Sequence, residues 1–190
     1  AATLDPGSDF PSDLIALYGD PMANAVRQGR VVADSSTNFA RAAVGLSVRS
    51  GAPWPDISTP EAFRRTLLGA RSICYSSGGS GQVAARAIER LGIAGQMKAK
   101  TVRSERGPAA GYVARGEAEM AIQQFNVSKP VAGADYVGHL PEDLHEYVVF
   151  AIAIATGSKE QEAARALIGF VTSPEAAPLL HKAMMEPAAG

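Results

Sequence analysis

Short apolar runs alternate with amphipathic segments along most of this chain. Apolar runs of strand length lie at residues 13–17, 42–49, 73–75, 98–103, 119–125, 136–140 and 147–155. Segments with apolar positions three and four apart, typical of helices, lie at residues 21–28, 59–68, 82–91, 108–115 and 158–171, and a last helix starts at residue 173. Residues 30–32 are predicted to be extended, and residues 35–41 to be irregular.

Local signals mark where several of these helices begin and end. Ser58 or Thr59 is predicted to cap the helix that begins with Pro60 and Glu61, and Ser173 to cap the one that begins with Pro174 and Glu175; each start combines a capping hydroxyl, a proline and an acid. Gly29, Gly92 and Gly116 follow helical segments and are predicted to stop them.

Strands that alternate with helices at this spacing predict an α/β fold with a mostly parallel sheet. In such sheets, ligands bind beyond the carboxyl ends of the strands. Residues 76–81, 104–107 and 123–126 all lie at predicted strand ends, so these three segments are the candidate ligand site.

The segment Ser76–Gly81 is rich in serine and glycine and leads into a predicted helix. Backbone N–H groups at a helix start lack intrahelical partners and face the positive end of the helix dipole, so they attract anions. The glycine spacing differs from that of a P-loop and of the dinucleotide fingerprint. The predicted ligand residues here are Ser76, Ser77, Gly79, Ser80 and Gly81. The alternative is a plain strand-to-helix connection.

Two further strand ends supply candidate ligand groups. Arg106, beside Gly107, is predicted to pair with a carboxylate or phosphate; the alternative is a solvated surface charge. Gln124 is predicted to hydrogen-bond the ligand; its alternative role is to fix the following loop.

Composition excludes several classes of function. The net charge of −1 and the 6% aromatic content argue against nucleic acid and against a lipid surface as partners. No cofactor and no metal are expected, because His139, His145 and His181 form no ligand-type pair; they are interpreted as surface or structural histidines. Cys74, the single cysteine, is expected to be a buried apolar residue.

No apolar run is long enough to span a membrane. The first eleven residues, Ala1–Pro11, are predicted to be a flexible lead-in and show no signal-peptide pattern.

Three segments of the second half, residues 116–124, 140–144 and 158–177, resemble the periplasmic molybdate-binding protein family. The third segment, SKEQEAARALIGFVTSPEAA, is the most specific. Residues 30–32, 44–49 and 56–63 are similar to the middle of the same family, and the resemblance covers about residues 12–187.

The resemblance implies a two-lobed, type II periplasmic binding protein-like fold. Residues 47–135 would form a complete second lobe, and residues 1–46 and 136–190 a partial first lobe. The family normally opens with a strand–helix–strand unit that carries oxyanion-binding serines, and nothing here matches it. Val44–Arg49 and Tyr147–Ala155 would be the strands that cross between lobes and act as hinges when the lobes close.

The implied function is capture of a small anion in an interlobe cleft for a membrane ABC permease, in the periplasm. Gln124 stands where the family has a ligand tyrosine, and the charge of Arg106 suits an organic carboxylate better than molybdate. Some relatives act as isomerases of small polycarboxylic acids, so an aconitate-type isomerase is the alternative, although no general base is evident in the sequence.

Overall fold

The computed structural model describes residues 12–188, so the predicted lead-in Ala1–Pro11 lies outside the described residues. The strands are β1 (Leu14–Tyr18), β2 (Thr37–Arg49), β3 (Ile73–Tyr75), β4 (Thr101–Arg103), β5 (Met120–Gln124), β6 (Ala134–His139), β7 (Tyr147–Ile154) and β8 (Glu186–Pro187). The helices are α1 (Gly19–Arg27), α2 (Pro60–Gly69), α3 (Gly79–Arg90), α4 (Ala94–Lys98), α5 (Ala109–Ala114), α6 (Phe125–Ser128), α7 (Gln161–Val171) and α8 (Ala177–Lys182).

The chain divides into two compact units. Within the described range, unit 1 comprises residues 12–40, 149–178 and 187–188, and unit 2 comprises residues 41–148 and 179–186. The chain passes from one unit to the other within β2 and within β7, and twice more near its end, within α8 and within β8. The predicted lobe boundaries, at residues 46/47 and 135/136, stay a prediction.

Unit 1 is built around an antiparallel pair of strands. Leu14–Tyr18 of β1 pairs with Phe150–Ile154 of β7, and α1 covers the pair by burying Met22 and Ala25 against Ala153. Gly29 has a φ of +65°, which confirms it as the residue that ends α1, because glycine adopts this conformation without steric cost.

Unit 2 contains a mixed sheet with the order β2-β5-β3-β4, and β6 also pairs with β2. β3 is parallel to β4 and to β5, whereas β5 and β6 are both antiparallel to β2. The predicted mostly parallel sheet is therefore wrong. An apolar run identifies a buried strand but does not encode its direction.

Some predicted elements also shift. Residues 37–41 are not irregular but form the first part of β2. Residues 98–100 are not a strand, because α4 runs to Lys98 and the buried side chain of Met97 anchors it. Phe125 begins α6 instead of ending β5.

The two predicted helix caps have different outcomes. Oγ1 of Thr59 accepts a hydrogen bond from the Ala62 N–H at 3.1 Å, so this cap is confirmed. The hydroxyl of Ser173 instead donates to the Phe170 carbonyl at 2.8 Å, and a 3₁₀ turn, Pro174–Ala176, precedes α8. The cap predicted at Ser173 is wrong because its hydroxyl is used by the helix before it.

The core of unit 2 lies on both sides of its sheet. Fully buried side chains include Phe63, Leu67, Ile73, Ile93, Met97 and Ile122. Because β3, β4 and β5 are parallel, their carboxyl ends lie at one edge of the sheet, and β6, antiparallel to β2, ends there too. None of the helices within residues 12–188 has the length and apolarity needed to cross a bilayer.

Candidate functional site

The predicted ligand residues all lie at the carboxyl edge of the unit 2 sheet. Ser76 follows β3, Arg106 lies in the loop after β4, and Gln124 is the last residue of β5. The loop after β4 is joined to the end of β3 by a hydrogen bond from the Ser104 N–H to the Tyr75 carbonyl at 3.2 Å. The strand topology therefore agrees with the prediction that these groups lie together at one edge of the sheet.

The serine- and glycine-rich segment is more helical than its sequence indicates. α3 begins at Gly79, not at residue 82, so Gly79, Ser80 and Gly81 form its first turn. Ser80 is 2% exposed, and a Cβ on Gly81 would lie 1.6 Å from the carbonyl oxygen of Ser76. Gly81 therefore lets the helix pack against the turn. Ser77 is the exposed member of the segment.

The loop after β4 is fixed through a tyrosine. The hydroxyl of Tyr112 accepts hydrogen bonds from the backbone N–H groups of Glu105 and Arg106, at 3.2 and 3.3 Å. Gly107 has a φ of +76°, which turns the chain there. The Arg106 side chain is exposed, and within residues 12–188 its guanidinium makes no ion pair. It is available to an incoming anion.

The two glutamines at the end of β5 have different surroundings. Oε1 of buried Gln123 accepts a hydrogen bond from the Ala110 N–H at 3.3 Å, which holds the first turn of α5. Gln124 pairs with Val44 on β2, one position beyond the Gln123–Gly45 pair. Adjacent residues of a strand point to opposite faces, so the side chains of Gln124 and Gln123 lie on opposite faces of the sheet.

Unpartnered polar atoms lie at the same edge. Oγ of Ser104 and Oδ1 of Asn126 are buried and lack a hydrogen-bond partner in the protein. A buried polar atom without a partner is costly, so such atoms are satisfied by water or by a ligand. Ser104 directly follows β4, and Asn126 lies in α6, two residues after the end of β5; both belong to the segments where the ligand is predicted to bind.

A β-bulge in β6 builds a feature that the sequence does not reveal. Tyr136 pairs with Ser47, and His139 pairs with Gly45, because the register shifts by one residue between them. Residues three apart in a regular strand point to opposite faces; the extra residue brings both side chains to one face. The Tyr136 hydroxyl and Nδ1 of His139 lie 2.7 Å apart.

This pair belongs to a larger group, here called the aromatic–histidine cluster: Phe125, Tyr136, His139, His145 and Tyr147. Ring centroids are 4.9 Å apart for Phe125 and Tyr136, 5.6 Å for His139 and His145, and 4.6 Å for His145 and Tyr147. The interpretation of His139 and His145 as unrelated surface or structural residues is therefore incomplete. Strand pairing, not sequence spacing, brings them together.

An ion pair borders the cluster. Arg41 contacts Glu186 at 2.8 Å, and its guanidinium lies 4.1 Å above the ring of Tyr147. The Tyr147 hydroxyl also donates to Glu186 at 3.3 Å. Arg41 and Glu186 thus largely neutralise each other's charge.

Burial changes the ionisation of two cluster members. It raises the pKa of the Tyr136 phenol, which keeps the phenol protonated. It also lowers the pKa of His145, with the nearby His139 as a second cause, and Nε2 of His145 is buried without a partner. The lowered pKa of His145 favours the neutral form of its ring.

A cavity of about 350 Å³ opens elsewhere in unit 2, between α3, α4 and β4. Tyr75, Glu89, Lys98 and Arg103 are among the residues that line it, and none of the eight predicted ligand residues does. Within residues 12–188, no three His, Cys, Asp or Glu side chains converge on a metal position.

Comparison with known proteins places the chain in a family. Residues 3–186 match the family model described as bacterial extracellular solute-binding protein. The chain belongs to this family. Among curated proteins, the chain is 33% identical over 178 residues to an aconitate isomerase from a Pseudomonas species, covering 93% of this chain and 68% of that protein.

Solved structures agree on the fold of this solute-binding protein. It is similar to the periplasmic molybdate-binding protein of Azotobacter vinelandii, with a TM-score of 0.75, 16% identity and coverage of 96% of this chain and 80% of that one. It is also similar to the sulfate-binding protein SubI of Mycobacterium tuberculosis, with a TM-score of 0.72, 19% identity and coverage of 94% and 70%. The predicted resemblance to molybdate-binding proteins is confirmed for the fold.

Proposed function

We propose that this solute-binding protein captures a small organic anion with several carboxylates and delivers it to a membrane ABC permease, in the periplasm. The observation that carries the proposal is the exposed Arg106 guanidinium, which no protein carboxylate neutralises among the described residues and which lies at the sheet edge with Ser77 and Gln124. An arginine binds a carboxylate through two parallel hydrogen bonds.

The charge of Arg106 suits any anion, but one comparison favours a carboxylate over a tetrahedral oxyanion. The relative at 33% identity is named for aconitate, a tricarboxylate. The molybdate- and sulfate-binding proteins share only the fold, at 16% and 19% identity.

Calorimetric titration tests the proposal. Citrate and trans-aconitate should bind, and molybdate and sulfate should not. Arg106→Gln should weaken binding by roughly 10- to 100-fold, the range expected for a charge-assisted hydrogen bond of about 1.5–3 kcal/mol. Arg71→Gln is the matched control, because exposed Arg71 precedes β3, at the opposite end of that strand. Equal affinity in the Arg106 variant would place the ligand elsewhere.

Delivery to a permease is tested separately. A strain that lacks the gene should lose uptake of the radiolabelled ligand, and the wild-type gene should restore it. Normal uptake in the deletion strain would contradict a role in import.

A second candidate function is isomerisation of an unsaturated polycarboxylate. It is favoured by the identity to an aconitate isomerase over 68% of that protein and by the aromatic–histidine cluster, in which His139 is a candidate general base that was not evident in the sequence. Incubation with trans-aconitate, followed by chromatography of the products, tests it. A protein that binds the compound but leaves it unchanged is a transport binder only.

A further inference from the structure

We infer that His139 is the proton-transferring residue of an isomerase activity toward unsaturated polycarboxylates, and that Tyr136 is its positioning residue. This inference rests on the second candidate function proposed above. The class of substrate has a methylene group between a carboxylate and a carbon–carbon double bond.

The geometry of His139 suits the role. Its Nδ1 is 2.7 Å from the Tyr136 hydroxyl, while its Nε2 makes no hydrogen bond within the described residues, and its side chain is exposed at the carboxyl end of β6. The Tyr136 hydroxyl fixes the orientation of the ring and leaves the other nitrogen to react. We assign the tautomer in which Nδ1–H donates to the hydroxyl, because it leaves the lone pair of Nε2 free.

The position of His139 also suits the predicted ligand site. His139 and Gln123 pair with Gly45 from opposite sides of β2, so they are about two strand spacings, roughly 10 Å, apart. The Phe125 ring, directly after Gln124, lies 5.9 Å from the His139 ring. His139 therefore lies at the carboxyl edge of the sheet, on the face that Gln123 shares and opposite the face of Gln124.

Other basic groups near the cluster are engaged. The Glu146 carboxylate contacts Arg86 at 2.6 Å, and Glu186 contacts Arg41 at 2.8 Å. His145 has its Nε2 buried. Among the charged and titratable groups in and beside the cluster, within the described part of the chain, only His139 is both exposed and left with a ring nitrogen that has no hydrogen-bond partner. Glu105, exposed in the loop after β4, is the competing base.

The proposed step needs no co-reactant. Nε2 of His139 takes a proton from the methylene carbon, and the electron pair of the broken C–H bond spreads over the three-carbon allyl unit and its carboxylates. The imidazolium returns the proton to the far carbon of that unit. One C–H bond breaks, one forms, and the double bond moves by one position. The Nδ1–H bond to Tyr136 is kept throughout.

The arrangement favours a single positive charge at the histidine pair. Burial lowers the pKa of His145, whose ring centroid is 5.6 Å from that of His139, so an imidazolium at His139 faces a neighbour whose charged form is disfavoured. The face of His145 toward the cluster is otherwise occupied by the Tyr147 ring, with Arg41 and Glu186 beyond it.

The test follows turnover and binding of trans-aconitate separately, in D₂O, by proton NMR and calorimetry. Wild-type protein should isomerise the compound and exchange its methylene hydrogen with solvent. His139→Gln should lower kcat on the order of 10²-fold or more, with Kd changed by less than about threefold. Tyr136→Phe should lower kcat and shift its pH profile while leaving KM nearly unchanged. His181→Gln, a change at an exposed histidine on α8, should change nothing.

Several outcomes would overturn the inference. Full turnover in His139→Gln, or loss of turnover in Glu105→Gln instead, would assign the proton transfer to another group. Tight binding without exchange in the wild type would overturn the inference and leave the capture function standing; absence of binding would remove both. Circular dichroism and urea midpoints check that the variants fold, and His139→Asn provides a second variant at the same position.

Discussion

The Tyr136 hydroxyl lies 2.7 Å from Nδ1 of His139, across a β-bulge in β6. The Tyr136 phenol lies over Gly45 of the neighbouring strand. A Cβ on Gly45 would be 2.1 Å from the Tyr136 hydroxyl and 2.1 Å from the Gly138 carbonyl oxygen. The absence of a side chain at Gly45 therefore makes the room that the phenol occupies.

We predict that Gly45→Ala displaces Tyr136 and weakens the fold. The new methyl group meets a backbone carbonyl as well as the phenol, so the strand itself has to shift. The expected loss in the free energy of unfolding is about 1–3 kcal/mol, the usual cost of overpacking, measured by urea denaturation.

The matched control for this change is Gly157→Ala, because a Cβ at Gly157 meets no atom within 4 Å. It should shift the urea midpoint little. Equal midpoints for Gly45→Ala and the wild type would show that β2 and β6 adjust without cost, and the bulge would then not depend on glycine.

The sequence predicted the features of this fold that depend on local signals. The cap at Thr59 is confirmed, and Gly29, Gly92 and Gly116 all have positive φ values, of +65°, +67° and +78°, after the helices they were predicted to stop. A capping hydroxyl and a left-handed glycine act within a few residues, so their signal lies in the sequence itself.

The features that the sequence did not predict depend on pairing between strands that are distant along the chain. The direction of β2 relative to β5 and the bulge in β6 are set by which strand lies beside which. The contact between His139 and His145 follows from them. At the candidate site, the sequence predicted the three strand ends that meet at one sheet edge but not the histidines there, because their six-residue separation matches no helical or metal-ligand spacing. That a ligand binds at this edge stays a prediction.

The stability of the folded protein should depend on pH through His145. The pKa of His145 in the folded protein lies below its ordinary value of 6.5, so the unfolded chain binds more protons in the window between the two values. Stability should therefore fall as the pH drops through about 6.5 and level off below the lowered pKa. Urea denaturation at a series of pH values from 7.5 to about 4 measures this slope.

His145→Gln should flatten that part of the profile, since it removes the titrating ring. The groups facing His145, namely His139, Tyr147, Arg41 and Glu186, stay in place in this variant. His181→Gln serves as the control and should keep the slope. An unchanged slope in His145→Gln would assign the effect to another group.

The third prediction concerns Cys74, which is fully buried on β3 against Ala109, Val113 and Ala121. Burial, with a smaller effect of Glu117, raises the pKa of its thiol to about 11. Because the thiolate is the reactive form, a disulfide reagent at pH 8 should label the native protein very slowly. In guanidinium chloride, one thiol per chain should react at once; rapid labelling of the native protein would mean that β3 is accessible.

The last prediction tests the serine- and glycine-rich segment through Gly81. A Cβ there would lie 1.6 Å from the Ser76 carbonyl oxygen, and backbone cannot move aside as a flexible side chain can. Gly81→Ala should therefore cost about 3 kcal/mol of unfolding free energy and weaken anion binding, because the turn before α3 has to open. Gly95→Ala, in α4 with no atom within 4 Å of the added Cβ, should instead be neutral or stabilise by about 0.5–1 kcal/mol. If Gly81→Ala lowers stability but leaves the Kd for citrate unchanged, Ser76–Gly81 is a packing motif, and the ligand is held by the other strand ends.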